Sequence, residues 1–224
     1  TAGNGDSIDA GADSDTLVLS GIVPGNHIVE VDLSSTTDQV VSIGGVPDAL
    51  AQISFENLDA SGIGSFVTVI GSAGDNVIIG STGTDSLTGG AGNDTLNGGL
   101  GADTYLFGRG DGQDFVQDNS GSSDKLLYAA DINPLDLVIS RQANDLRLSI
   151  HGSTDSVTIQ NWYISSSNRT ETIQAGNGEV LLSTQVDQLI QAMASFTEQT
   201  GLTWDQAIDQ QPQDVQTILA ASWQ

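Results

Sequence analysis

GSAGDNVII (71–79), GSTGTDSLT (80–88), GGAGNDTLN (89–97) and GGLGADTYL (98–106) run without interruption through the middle of the chain, four consecutive blocks of nine. Each block has Gly at position one, Gly or Ser at two, Gly at four, Asp or Asn at six and an apolar residue at eight. Closely spaced glycines permit positive φ and leave backbone carbonyls unshielded. Residues such as Thr95, Leu96 and Asn97 carry the in/out alternation of a short strand. Each block therefore reads as a turn followed by a strand too short to bury its one apolar residue alone. The blocks must stack, two to a coil, into a parallel solenoid in which residues 18 apart lie about 4.8 Å apart. Asp85 then stacks on Asp103, and Asn76 on Asp94.

Columns of like carboxylates repel, and no Lys or Arg lies within the four blocks. Carboxylate and carbonyl oxygens, with no sulfur or imidazole among them, point to a hard divalent cation, and a flexible loop supplying about six of them suits Ca2+ better than Mg2+. With these residues in hand, the blocks resemble the nonapeptide repeats of the RTX, or haemolysin-type calcium-binding, family. GGAGNDTLN agrees with that pattern at every defined position, whereas Tyr105, Ser81, Ser72 and Asn76 depart from it.

The resemblance implies a parallel β-roll in which each Ca2+ takes carbonyls from positions one and three of one turn, carbonyls from two and four of the turn above, and both position-six side chains. The metal residues it implies are, for one ion, Gly71, Ala73, Gly90 and Gly92 with Asn76 and Asp94. A second ion takes Gly89, Ala91, Gly110 and Gly112 with Asp94 and Asp114. A third, across the solenoid, takes Gly80, Thr82, Gly99 and Gly101 with Asp85 and Asp103. Asp94 is thus expected to serve two ions and Asp85 one.

The remaining chain is read outward from this array. The fold class expected is all-β, a parallel β-roll with a capping antiparallel β region and a short helical tail. Residues 1–70 read as a lead-in, with two worn blocks at 1–18 that place Asp6 and Asp15 at position six and Ile8 and Leu17 at eight. IVEVDL (28–33), QISF (52–55) and SFVTVI (65–70) continue as strands punctuated by Pro24 and Pro47; the competing reading is a separate small β-sandwich. Residues 71–128 make the roll, since RGDGQDFVQ (109–117) regains the phase after the insertion of Phe107 and Gly108. Arg109, Gly110 and Asp111 spell RGD, a tripeptide that arises readily where turns are made of Gly and Asp.

Residues 129–182 read as antiparallel strands, and DKLLYAADINPLDLVISRQANDLRLSI with VTIQNWY resembles the segment that follows the repeats in haemolysin-like proteins. Trp162 reads as core rather than a sugar-stacking platform. Residues 183–224 read as helices: Ser183 or Thr184 as cap, then Val186, Leu189, Ile190, Met193 and Phe196 at helical spacing, with Thr203 and Pro212 opening two more. A glutamine-rich tail without Lys or Arg resembles the uncleaved signal by which RTX proteins leave bacteria. The partners implied are the type I secretion apparatus and upstream domains of the same chain, because Thr1 opens in mid-repeat. The location implied is extracellular or the bacterial cell surface.

Composition narrows the classes further. Of 224 residues 29 are acidic and 5 basic, a net charge of −24 that disfavours nucleic acid. There is no cysteine, so neither a disulfide framework nor a thiolate metal site exists. No apolar run is long enough for a transmembrane segment. The histidines, His27 and His151, form no H-E-x-x-H pair, and no G-x-S-x-G, P-loop or complete EF-hand loop occurs. Both histidines read as incidental and the chain as a non-enzyme. The function expected is a calcium-binding module that folds on export; the alternatives are an adhesin module for a sugar or peptide, or an accessory module of a secreted lipase or protease.

Overall fold

The computed structural model describes residues 7–21, 28–46, 51–117, 121 and 123–224. Asp6, Pro24, His27 and Pro47 lie outside the described residues, as do the side chains of Ser7, Ile8, Ala51 and Ile53. The chain is mostly β, with three short helices at its C-terminal end.

Within the repeats, each block gives one three- or four-residue strand: β8 (Val77–Ile79), β9 (Ser86–Thr88), β10 (Thr95–Asn97) and β11 (Thr104–Phe107). Numbering from the N-terminus, these follow β1 (Ser7–Asp9), β2 (Thr16–Gly21), β3 (Ile28–Asp32), β4 (Val40–Ile43), β5 (Ala51–Ile53), β6 (Asn57–Ile63) and β7 (Phe66–Ile70). They precede β12 (Gln113–Val116), β13 (Lys125–Tyr128), β14 (Leu137–Gln142), β15 (Asp145–Ile150), β16 (Ser156–Ile159), β17 (Thr172–Gln174) and β18 (Val180–Leu182). From β6 to β13 each strand lies in the opposite sheet to the one before it. One eight-stranded sheet has the order β14-β15-β16-β12-β10-β8-β6-β2 and another β18-β17-β13-β11-β9-β7-β3-β4, while β1 and β5 pair parallel as a separate two-stranded sheet.

The 18-residue stacking holds where the blocks are intact: Thr95 lies beside Val77 and Thr104 beside Ser86, in parallel. The insertion after Leu106 stretches it, so that Thr95 pairs with Phe115 and Thr104 with Lys125. The position-eight residues Ile78, Leu87, Leu96 and Tyr105 face inward from both sheets and are fully buried. Tyr105 fills an aliphatic position because its ring is buried while its hydroxyl accepts the Gly98 N–H at 2.8 Å.

Both sheets are mixed. Parallel pairing runs through their middles, whereas β3–β4, β14–β15–β16 and β17–β18 pair antiparallel at the ends. The lead-in strands β2, β6, β3 and β7 belong to these same two sheets, which is not the arrangement of a separate sandwich. Of the segment beyond 128, β16 and β17 still pair parallel with β12 and β13; β15 and β18 run against them, and β14, antiparallel to β15, runs in the direction of β16 again.

The tail forms α1 (Val186–Thr200), α2 (Trp204–Gln210) and α3 (Pro212–Leu219). The expected Ser183 or Thr184 cap is not used: Gln185 stands at the α1 N-cap and makes no side-chain capping bond. Ser183 is instead tied by its N–H to the Glu171 carbonyl, which carries it with β18. Thr203 caps α2 as expected, accepting the Gln206 N–H. Val186, Leu189, Trp204, Val215 and Trp223 are buried, and Gln224 and Val180 exchange two backbone hydrogen bonds, so the tail is packed onto the end of the strands.

Candidate metal centre

Position six of each block precedes a strand, so every coil brings its position-six side chain to the same edge of the stack. In one column Asn76, Asp94 and Asp114 succeed one another; in the other Asp85, Asp103 and Asp124. All six are buried. A single hydrogen-bonding rule runs through both columns, each carboxylate accepting the backbone N–H of the rung below it. Asp94 Oδ1 accepts Asn76 N–H at 2.7 Å and Asp114 Oδ1 accepts Asp94 N–H at 2.9 Å. Asp103 Oδ1 accepts Asp85 N–H, and Asp124 Oδ1 accepts Asp103 N–H, both at 2.8 Å.

The same rule extends past the blocks. Glu56 Oε2 accepts the Asp15 N–H at 2.9 Å, and Glu171 Oε2 accepts the Asp124 N–H at 2.8 Å. These rungs escaped the sequence reading because 41 and 47 residues separate the partners, although Glu56 and Glu171 each stand just before a strand, as position six does. Asp124 stands 21 residues after Asp103, beyond a further insertion, and the sequence expectation gives it no ligand role.

The second carboxylate oxygens separate the rungs into two kinds. In GSTGTDSLT, Asp85 is satisfied within its own block: Ser81 donates its N–H to Oδ2 at 2.5 Å and its hydroxyl to Oδ1 at 2.7 Å. In GSAGDNVII, Ser72 donates its N–H to Asn76 Oδ1 at 2.7 Å. The two Gly-Gly blocks lack the serine hydroxyl, the Gly99 N–H goes to Asn97 Oδ1 at 3.0 Å, and Oδ2 of Asp94 and of Asp103 is buried with no hydrogen-bond partner. An unpaired buried carboxylate oxygen is costly. Burial pushes the Asp94 carboxyl up to about 6 and the Asp103 and Asp114 carboxyls up to about 7, against the hydrogen bonds from the rungs below; neighbouring carboxylates add to the rise. Asp85 is raised by burial as well, with its hydrogen bonds opposing.

The turns opposite these oxygens are shaped by glycine. A Cβ on Gly89 or Gly98 would collide with Oδ2 of Asp94 or Asp103. Gly90 and Gly99, at φ +94° and +92°, lie against the carbonyls of Ser72 and Ser81 one coil below. Gly92 sits over Gly74, Gly101 over Gly83 and Gly112 over Gly92, while Gly71 and Gly80 lie under Gly89 and Gly98. Ala73, Thr82 and Ala91 occupy the same turns. Gly110 is the exception: nothing lies within 4 Å of a Cβ placed there, and its N–H is bound by Asp155 Oδ2 at 2.8 Å. Gly110 is therefore not stacked in the way the sequence expectation for the upper ion requires, because the two-residue insertion lengthens that turn.

The donors are oxygen only, and among the described residues no three Asp, Glu or His side chains converge as a metal cluster. That combination fits an ion held by two carboxylates and surrounded by backbone carbonyls, the ligand chemistry of Ca2+ rather than of zinc. The RGD tripeptide is folded into the junction beyond the blocks. Arg109 pairs with Asp131 at 3.5 Å and Asp136 at 3.1 Å, and Asp111 Oδ2 accepts the Gly108 N–H. Trp162 is buried, with Arg169 over its ring.

His151 is not incidental, as the sequence reading had it. Its Nδ1 lies 2.9 Å from Asp205 and its Nε2 3.1 Å from Asp209, one turn apart on α2. No local signal relates residues 54 and 58 positions apart.

Residues 70–105 match the family model of the RTX calcium-binding nonapeptide repeat, in four copies. Residues 145–185 match that of the haemolysin-type calcium binding protein related domain. The chain thus carries RTX haemolysin-type calcium-binding repeats, whose cofactor is Ca2+.

Proposed function

We propose that residues 71–128 form a parallel β-roll whose acidic columns hold Ca2+, that the chain folds when exported into millimolar Ca2+, and that the tail from Ser183 onward carries the type I secretion signal of a larger extracellular bacterial protein. The observation that carries the calcium reading is the pair of buried, unpartnered Oδ2 atoms on Asp94 and Asp103. Each lies in a column of carboxylates, facing a glycine turn with no basic side chain in the blocks. Bound Ca2+ supplies the positive charge that these oxygens lack.

The residues do the rest. Oδ1 of each rung fixes the strand below, Oδ2 is left for the ion, and the glycines keep the turn carbonyls close. The rungs of greatest demand are Asp94 with Asp114 and Asp103 with Asp124; Asn76 and Asp85, satisfied by Ser72 and Ser81, contribute less. Without the ion, the buried like charges oppose folding at neutral pH, and the chain stays threadable. With it, binding free energy becomes folding free energy. An ion at a hundredfold excess over its Kd contributes roughly 2.7 kcal/mol per site.

Calorimetric Ca2+ titration combined with circular dichroism in chelator and in millimolar Ca2+ tests this. Asp94→Ala and Asp103→Ala should each remove or weaken two sites, and Asp85→Ala mainly one. β-Sheet signal should rise on adding Ca2+. Equal losses in the three variants, or the same spectrum with and without the ion, would overturn the reading.

A further inference from the structure

Where the first repeat block meets the lead-in strands, the column of position-six side chains changes character. Leu58 lies beside Ile78, a register that sets Asn76 above Glu56. Higher in the column, each carboxylate accepts the N–H of the rung below. Asn76 inverts that polarity. Its Nδ2 donates to the Glu56 carbonyl and, at 2.9 Å, to the Ser72 hydroxyl, while its Oδ1 accepts the Ser72 N–H at 2.7 Å. The residue is only 2% exposed, and both polar atoms of its amide are partnered. One coil higher, Oδ2 of Asp94 has no partner.

Gln39 repeats the device on the same turn. It is equally buried, its Nε2 donates to the Leu33 and Phe55 carbonyls, both at 2.8 Å, and its Oε1 accepts the Phe55 N–H at 2.9 Å. The carbonyls of two consecutive residues, Phe55 and Glu56, are thus each held by a buried amide N–H. An amide NH2 brings two donors and no net charge. It draws carbonyls together as a bound cation does, with no cation present. Its nitrogen cannot coordinate Ca2+, which takes oxygen ligands, and the Asn76 oxygen is held by Ser72.

We propose that the Asn76 amide stands in for an ion at the step between lead-in and repeats, so that Asn76 is not a Ca2+ ligand and this step closes without metal. The ion that the family pattern places between Asn76 and Asp94 then keeps Asp94 alone of its position-six pair. The array is fastened to β6 by hydrogen bonds that need no ion, and this column calls on Ca2+ only from Asp94 upward. Asn76 is the residue that sets this selectivity. Ser54, Phe55, Glu56, Ser72 and Ala73 line a common cleft of about 330 Å³, so a carboxylate in place of the amide has room beside it for a hydrated ion.

The test is calorimetric titration of the full chain with CaCl2. Asn76→Ala should bind as many ions as the unaltered chain. Asn76→Asp sets a carboxylate oxygen against the Glu56 carbonyl; it should bind one ion more, and its β-sheet circular dichroism should need more Ca2+ to reach half its final signal. One ion fewer in Asn76→Ala would make Asn76 a ligand and overturn the proposal, as would an unchanged ion count in Asn76→Asp. Should Asn76→Ala fail to fold in saturating Ca2+, Asn76→Asp decides by the same count. The inference rests on the calcium reading of the repeats, which the isotherm of the unaltered chain tests by itself. Both variants are read as differences from that isotherm, so the two failures are distinguishable.

Discussion

A methyl group on Gly89 would land on the Asp94 carboxylate, and the nearest atom is the oxygen that has no partner. Gly89→Ala should therefore displace that oxygen and weaken Ca2+-dependent folding, by on the order of 2–3 kcal/mol. Gly64→Ala is the contrast, since nothing lies within 4 Å of its Cβ and its φ is not left-handed. It should stay within about 0.5 kcal/mol of the parent. Denaturant midpoints in saturating Ca2+ compare the two, and similar shifts would mean that the turn does not depend on glycine. The same carboxylates set a pH dependence. In the ion-free fold Asp94 titrates near 6 and Asp103 and Asp114 near 7, above the 3.8 of an unfolded chain. The fold then binds more protons than the unfolded chain across that window, so ion-free stability falls as pH rises from about 4 to 7. Ca2+ competes with those protons, and its affinity should rise through pH 6–7 and level off above. Urea melts in chelator should give a higher midpoint at pH 5 than at pH 7.5, and Ca2+ titrations the reverse order. A chelated chain more stable at pH 7.5 than at pH 5 would refute the assignment.

At the level of elements, α2 shows how the tail is held. Thr203 caps it, Trp204, Ala207 and Ile208 face inward, and Asp205 and Asp209 present one carboxylate per turn to His151. The Asp205 hydrogen bond, aided by Asp209, raises the His151 pKa against a smaller opposing effect of burial. Being raised, it contributes stability that is fully present below about 6.5 and is lost as pH climbs through the folded value. The aspartates are more than half exposed, which limits the contribution. His151→Ala should cost about 0.5–1 kcal/mol at pH 6 and less at pH 9. Hydrogen exchange of the α2 amides would show it. A loss independent of pH would indicate that packing, and not charge, is what His151 provides.

Across the whole molecule, the tail and the repeats meet different demands. Removing 184–224 strips Trp204, Val215, Leu219 and Trp223 from the end of the strands and breaks the Val180–Gln224 backbone pair. The repeat array should still gain sheet structure with Ca2+, while β17 and β18 lose amide protection and secretion by a type I system ceases. Retained protection of β17–β18 would show that the helices are not their cap. Loss of the Ca2+ response altogether would make the tail part of the folding unit.

The sequence by itself determined the repeating part of this structure. A nine-residue period sets which residue turns, which points inward and which reaches the ion edge. Since each coil repeats the last, Val77 beside Thr95, Ser86 beside Thr104 and the stacking of Asp85 on Asp103 follow from local spacing alone. The helical spacing of Val186, Leu189 and Met193 is local in the same way. What only the tertiary structure decided lies where long connections close. Glu56 and Glu171 extend the columns, Asp155 enters the junction from a hairpin turn, and His151 reaches α2. Their partners are 41 to 58 residues away, and no period relates them; the pairing is fixed by which surfaces pack, a property of the folded chain. Even Ser72 and Ser81, visible as departures from the Gly-Gly pattern, take their meaning only from the fold, where their hydroxyls bond the Asn76 and Asp85 side chains.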